Sequence, residues 1–177
     1  PDVHQNSPQW GCGTRLSTHR NFVLPAKYTF PIDTRTMNPS QPPSGFKKGL
    51  TQYGDSGFSL FLRKAFIKGA GYTDDALERP VIGIASTGSA YNPCHGNMPQ
   101  LLEAVTRGIQ LAGGLPMPFP TISLHESFAS PTSMFLRNLM SIDTEEMLRA
   151  QPMDAVVLIG GCDKTVPAQL KIGRAHV

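Results

Sequence analysis

From Gly45 onward the apolar residues fall into two rhythms, short β-branched runs and longer helical stripes. Phe58, Leu62, Ala65 and Phe66 recur at helical spacing, with Arg63, Lys64 and Lys68 off that stripe. Gly69 and Gly71 mark its end. "RPVIGIAS" (79–86) predicts a strand, and the stretch 98–114 predicts a helix with Leu101, Leu102, Val105 and Ile109 on one face. "PMPFPTISL" predicts a proline-interrupted strand. "MFLRNLMSIDTEEMLRAQP" predicts two helices, the second started by Asp143 or Thr144. "MDAVVLIGG" predicts a third strand.

Strands alternating with helices imply βαβ units, hence a parallel sheet with helices on its faces. The expected class is α/β, an α/β/α domain that stops short of a completed sheet. Residues 1–45 carry no sustained period, and "TMNPSQPPSG" has linker composition, so this arm is expected to be irregular or disordered. Met37 is a candidate initiator, which would make the residues before it a translated leader. An Arg-rich transit peptide is a weaker alternative, given Asp2, Asp33 and the prolines.

Composition narrows the function classes. The chain has 177 residues, 40% hydrophobic and 16% charged, which fits a globular domain. Its formal charge of +3 is scattered, with no basic block that would suit a nucleic acid. No apolar run reaches the length that crosses a membrane. Three cysteines, Cys12, Cys94 and Cys162, are too few for a disulfide framework and suit a reducing compartment. A cytoplasmic location is expected, with a mitochondrial one as the alternative.

All three predicted strands end in polar loops, and the unusual residues sit there. Ligands of such sheets gather beyond the carboxyl ends of the strands. "YNPCHGN" puts Cys94 just ahead of a helix, where a thiolate is favoured, although a small residue packed in an Asn-Pro turn reads equally well. "GGCDK" delivers Cys162, Asp163 and Lys164 together; buried charges need partners or a metal, whereas a solvated loop would need neither. Glu126 occupies the matching end of the second strand, or is an ordinary surface carboxylate. Soft sulfur selects iron–sulfur or zinc, and hard oxygen selects magnesium or manganese. Both kinds in one place suggest two metals in one pocket. Two cysteines do not complete a cluster by ordinary cysteine ligation. A zinc protein using Cys94, Cys162 and His95, or a non-catalytic α/β fragment, remain the rival readings.

"RPVIGIASTGSAYNPCHGNMPQLLEAVTRGIQLAGG" followed by "MDAVVLIGGCDKTVPAQL" resembles the amino-terminal domain of the dihydroxy-acid/sugar-acid dehydratases. The likeness runs from about Gly45 to Leu170, its specific parts being "NPCH" and "GCDKTVP". The resemblance implies a hydro-lyase that converts a 2,3-dihydroxy acid to a 2-keto acid. It implies that Cys94 and Cys162 hold an iron–sulfur cluster, 2Fe-2S in preference to 4Fe-4S. It implies that Glu126, Asp163 and a carbamylated Lys164 bind Mg2+. "HESFASPTSM" and "RNLM" resemble the sugar-acid branch, which points to an aldonate substrate, with the branched-chain dihydroxy acid as alternative. A homo-oligomer is implied for the full-length protein. The third cluster cysteine, a further acidic ligand and the catalytic base lie downstream in that family. The chain is thus expected to divide into an arm (1–45), an incomplete metal-binding dehydratase domain (46–170) and a non-native tail (171–177). The tail departs from the family's continuation, and Ile172–Val177 reads as translated adapter sequence. The chain alone is expected to be inactive.

Overall fold

A computed structural model describes residues 42–50 and 53–174. The expectations for most of the arm, including Cys12 and Met37, fall outside the described residues, as do those for residues 175–177.

Three strands form one parallel sheet in the order β2-β1-β3. Strand β1 (Val81–Ser86) is central; β2 (Leu115–Pro120) and β3 (Ala155–Ile159) flank it. Parallel neighbours require crossover connections, and here helices α3 (Met98–Leu111) and α4 (Ser133–Ala150) supply them. The α/β class with helices flanking a parallel sheet is what the alternating rhythms imply. Helix α3 lays Met98, Leu102, Val105 and Ile109 against Ile84, Val157 and Ile159 of the sheet. Leu101, expected on that face, stands at its exposed margin. A second cluster gathers Phe46, Leu77, Val81 and Leu115, with Ile67, Tyr72 and Met117 packed on it.

Strand β2 reads LPMPFP and still pairs along its whole length with β1. Its odd-numbered residues turn their N–H groups inward, as when Leu115 donates to the Pro80 carbonyl at 2.8 Å. The prolines at 116, 118 and 120 therefore face the outer edge, the one side where a missing donor costs nothing.

Two expectations are corrected. The stretch 133–150 is one helix, not two. Its cap is Thr132, whose hydroxyl accepts from the Met134 N–H at 3.3 Å. Thr144 sits mid-helix because its hydroxyl donates back to the Met140 carbonyl at 2.8 Å. Asp143 accepts from the Ile122 N–H at 3.2 Å, so its carboxylate joins the helix to the segment after β2 and caps nothing. Helix α1 (Ser56–Gly69) ends where expected, but its inward face is different. Ser59 is buried and Ile67 packs on the core, whereas Phe58 and Phe66 are 48% and 76% exposed. Helical spacing marks an apolar stripe without saying which side meets the sheet.

The start of the sheet is locked by Asp154. Its carboxylate accepts from the Gly45 N–H at 2.8 Å and the Val81 N–H at 2.8 Å. It also pairs with the Lys48 ammonium at 2.7 Å. Burial pushes this carboxyl's pKa up, but Lys48 and the two backbone donors outweigh it and hold the group below its ordinary value. A depressed carboxylate contributes stability above its unfolded value and loses it as pH falls through the folded one. Urea midpoints are therefore expected to fall on acidification below the usual aspartate range. Asp154→Ala should lower stability by about 2 kcal/mol at neutral pH, since it leaves two N–H groups unpaired. An acid sensitivity identical in Asp154→Asn and wild type would contradict this.

Candidate functional site

The three strands deliver three loops to one end of the sheet, each organised by a short turn. After β1, a 3-10 turn spans Pro93–His95; after β2, another spans Glu126–Phe128. After β3, Gly160–Lys164 leads directly into helix α5 (Thr165–Leu170). Cys94, Glu126 and the Cys162–Lys164 run are thus carried on neighbouring loops beyond the carboxyl ends of the strands.

Two buried polar residues stitch these loops together. His95 is 1% exposed. Its Nδ1 lies 2.7 Å from the Thr87 carbonyl, which can only accept, so Nδ1 carries the proton. Its Nε2 then accepts the Gly161 N–H at 3.1 Å. Asn92 is fully buried and donates to the Leu124 carbonyl at 3.2 Å, while its Oδ1 accepts from the Cys162 thiol at 3.6 Å. Glycine at 161 is what allows this closeness: a Cβ there would lie 2.7 Å from both the Cys94 carbonyl oxygen and the His95 ring. The Cys94 and Cys162 loops are therefore in direct van der Waals contact.

The carboxylate side is organised by Arg137 of α4, 5% exposed. Its guanidinium donates to the Leu124 carbonyl at 2.9 Å and to the Thr165 hydroxyl at 2.7 Å. One side chain thereby spans the segment two residues before Glu126 and the residue after Lys164. Across this span the Lys164 ammonium is in direct contact with the Glu126 carboxylate. Lys164, through its hydrogen bond first and its charge second, holds the Glu126 carboxyl below the usual range. A concavity of about 290 Å³ opens beside the pair, bordered by Arg137, Asn138, Asp163, Lys164 and Lys171.

Of the residues expected here, Glu126 and Lys164 are brought into contact, and Cys94 and Cys162 are set on abutting loops. Cys94 is exposed and Cys162 half-buried. Asp163 borders the concavity next to Lys164. Among the described residues no three His, Cys, Asp or Glu side chains stand close enough to form a ready-made cation cage. His95 serves the loops with both ring nitrogens. The donors present suit an iron–sulfur centre and Mg2+ in kind, two sulfurs and two carboxylates, though not in number. Asn92 and Arg137 were not legible as site residues, although "FLRNLM" does carry the hint of an arginine between apolar neighbours.

The family described as dihydroxy-acid/6-phosphogluconate dehydratase N-terminal matches residues 79–176, and the chain belongs to it. It is 44% identical over 119 residues to L-arabonate dehydratase of Azospirillum brasilense, covering 67% of this chain and 20% of that one. It is 42% identical over 119 residues to L-arabinonate dehydratase of Rhizobium leguminosarum, covering 67% and 21%. Identity to the dihydroxy-acid dehydratase of Clostridium kluyveri is 35% over 113 residues, covering 61% and 20%. The chain spans about a fifth of the length of these relatives. No helix among the described residues is long and apolar enough to cross a membrane.

Proposed function

We propose that this chain is the metal-binding part of a hydro-lyase acting on a sugar acid, removing water to leave a 2-keto-3-deoxy acid. The observation that carries the reading is the contact of Lys164 with Glu126 beside Asp163, on loops adjoining those of Cys94 and Cys162. Cys94 and Cys162 would hold an iron–sulfur cluster, 2Fe-2S for preference, and Glu126, Asp163 and Lys164 would hold Mg2+. When bound, such metals supply Lewis acidity for a departing hydroxide and charge stabilisation for a developing enolate.

This chain's own residues prepare that chemistry. An ammonium cannot ligate a cation, so Lys164 contributes only after it releases one proton to give the free amine, which adds carbon dioxide and releases a second proton to become a carbamate. Its contact with Glu126 supports the reading that the carbamate and that carboxylate would hold Mg2+ together. Arg137 fixes the two loops that carry the pair, and Asn92 and His95 fix the two that carry the thiols. The substrate loses its C2 proton and C3 hydroxide, and the resulting enol tautomerises to the ketone. Two thiolates do not complete a cluster, so the 177-residue chain by itself is expected to be inactive.

A sugar acid is favoured over a branched-chain dihydroxy acid by Glu126 within "HESFASPTSM" and by the higher identity to the arabonate and arabinonate enzymes. The test uses the longer parent protein, loaded with iron, sulfide and magnesium under bicarbonate and assayed for 2-keto acid formation. Turnover of a five- or six-carbon aldonate well above that of 2,3-dihydroxyisovalerate is expected. Equal turnover of the two, or none of any aldonate, would overturn the substrate reading.

A further inference from the structure

Among the described residues, two buried side-chain atoms stand without a hydrogen-bond partner, the Ser133 hydroxyl and the Arg137 Nε. Both belong to α4 and lie four residues apart, so they share one face of the helix. It is the face that meets the loops of Glu126 and Lys164, since the other Arg137 nitrogens reach the Leu124 carbonyl and the Thr165 hydroxyl. Ser133 is 1% exposed. A buried hydroxyl with no partner weakens a fold, and an alanine in its place would not. Its nearest prospective partner is the Glu126 carboxylate. Lys164 chiefly lowers that carboxyl's pKa, and the Ser133 hydroxyl and the Arg137 charge add to the effect, although the hydroxyl completes no hydrogen bond. The Glu126 side chain is exposed and held only by the Lys164 ammonium, so it can turn.

We propose that Ser133 is a positioning residue for Glu126, its unspent hydroxyl taking one oxygen of that carboxylate once the Lys164 ammonium no longer holds it. The inference rests on the reading that Lys164 becomes a carbamate and binds Mg2+ with Glu126 and Asp163. Carbamylation replaces a cation by an anion, so the present ion pair is lost and Glu126 needs another donor. A hydroxyl donating to one carboxylate oxygen leaves the other oxygen for a cation, so the two do not compete. The bond is absent in the present arrangement and made in the cation-bound one. Its free energy therefore adds to metal affinity. Groups that orient ligands in this way commonly change that affinity by about 10–100-fold.

The test uses the longer parent protein, loaded with iron and sulfide, dialysed free of magnesium and titrated with Mn2+ under bicarbonate. Mn2+ takes the same oxygen ligands as Mg2+, and the electron paramagnetic resonance of the unbound ion reports uptake without requiring catalysis. The parent protein should show a saturable site that Glu126→Gln and Asp163→Asn each weaken. Ser133→Ala should weaken Mn2+ binding by about tenfold. Without divalent cation its melting temperature should stay level or rise, because the variant loses an unpartnered buried group. A hydroxyl that served packing alone would do the reverse. Ser141→Ala is the comparison, a buried serine two turns further along the same helix, and it should leave Mn2+ affinity unchanged. A Ser133→Ala affinity equal to the parent protein's, a fall in its melting temperature, or a weakening that Ser141→Ala reproduces would overturn the positioning role and leave the metal site standing. Mn2+ uptake indifferent to both Glu126→Gln and Asp163→Asn would overturn the two together.

Discussion

Replacing Lys164 with arginine in the parent protein is expected to cut dehydratase activity by about a thousandfold or more while leaving the fold intact. The argument separates charge from chemistry. Arginine keeps the positive charge and can still pair with Glu126, so the present contact survives in another form. On the reading proposed above Lys164 acts as a carbamate, which a guanidinium cannot become, so the arginine variant would lack that oxygen donor next to Asp163. Losing several kcal/mol of metal-centred charge stabilisation corresponds to about three orders of magnitude in rate. Lys164 is partly exposed, so the larger head can swing toward solvent without overpacking the loop. Melting temperature and steady-state rate, measured on the same preparation, check both halves. An active arginine variant would rule the carbamate out.

Gly161→Ala is expected to damage stability more than any surface change at this end of the sheet. The new methyl would stand 2.7 Å from the Cys94 carbonyl oxygen and from the His95 ring. Neither neighbour is a flexible tip. Cys94 lies in a 3-10 turn closed by the Gly96 N–H to the Pro93 carbonyl at 3.2 Å, and the imidazole is held at both nitrogens. The loops must part, which strains the packing and breaks the Gly161–His95 hydrogen bond. Overpacking and the lost bond together come to about 3 kcal/mol, or roughly 6–12 °C in melting temperature for a chain of this size. Gly108→Ala is the matched control, because nothing lies within 4 Å of a Cβ there and the position is inside α3. That substitution should stabilise by up to about 1 kcal/mol. Equal melting of Gly161→Ala and wild type would mean the close approach of the two loops is not real.

The contrast between the legible and the hidden parts of this chain has a physical basis. Strands β1 and β3 announce themselves because β-branched runs between polar loops have few other uses. Cys162, Asp163 and Lys164 stand out for the opposite reason: such side chains are out of place where a buried strand ends. Asn92 and Arg137 give no comparable sign, and His95, readable as a candidate zinc ligand, gives none of its part in joining the loops. Their partners, Leu124, Gly161 and Thr165, are remote in sequence, and a buried polar group becomes meaningful only once its partner is known. The same holds for α4, where Asp143 and Thr144 look like a helix start until Ile122 and Met140 are seen to occupy them. For α1, the pattern named a stripe but left open which aromatic rings the sheet would cover.

The prolines of β2 give the sheet a direction of growth. With no N–H at 116, 118 or 120, its outer margin lacks the alternate donors that a fourth strand would need on that side. The far side of β3 carries no such restriction, since Ala155–Ile159 keeps every amide. Any additional strand, from elsewhere in a longer chain or from another molecule, is therefore steered to β3 and turned away from β2. One margin of the sheet is blunted against stray pairing, and the other is the side on which assembly can proceed.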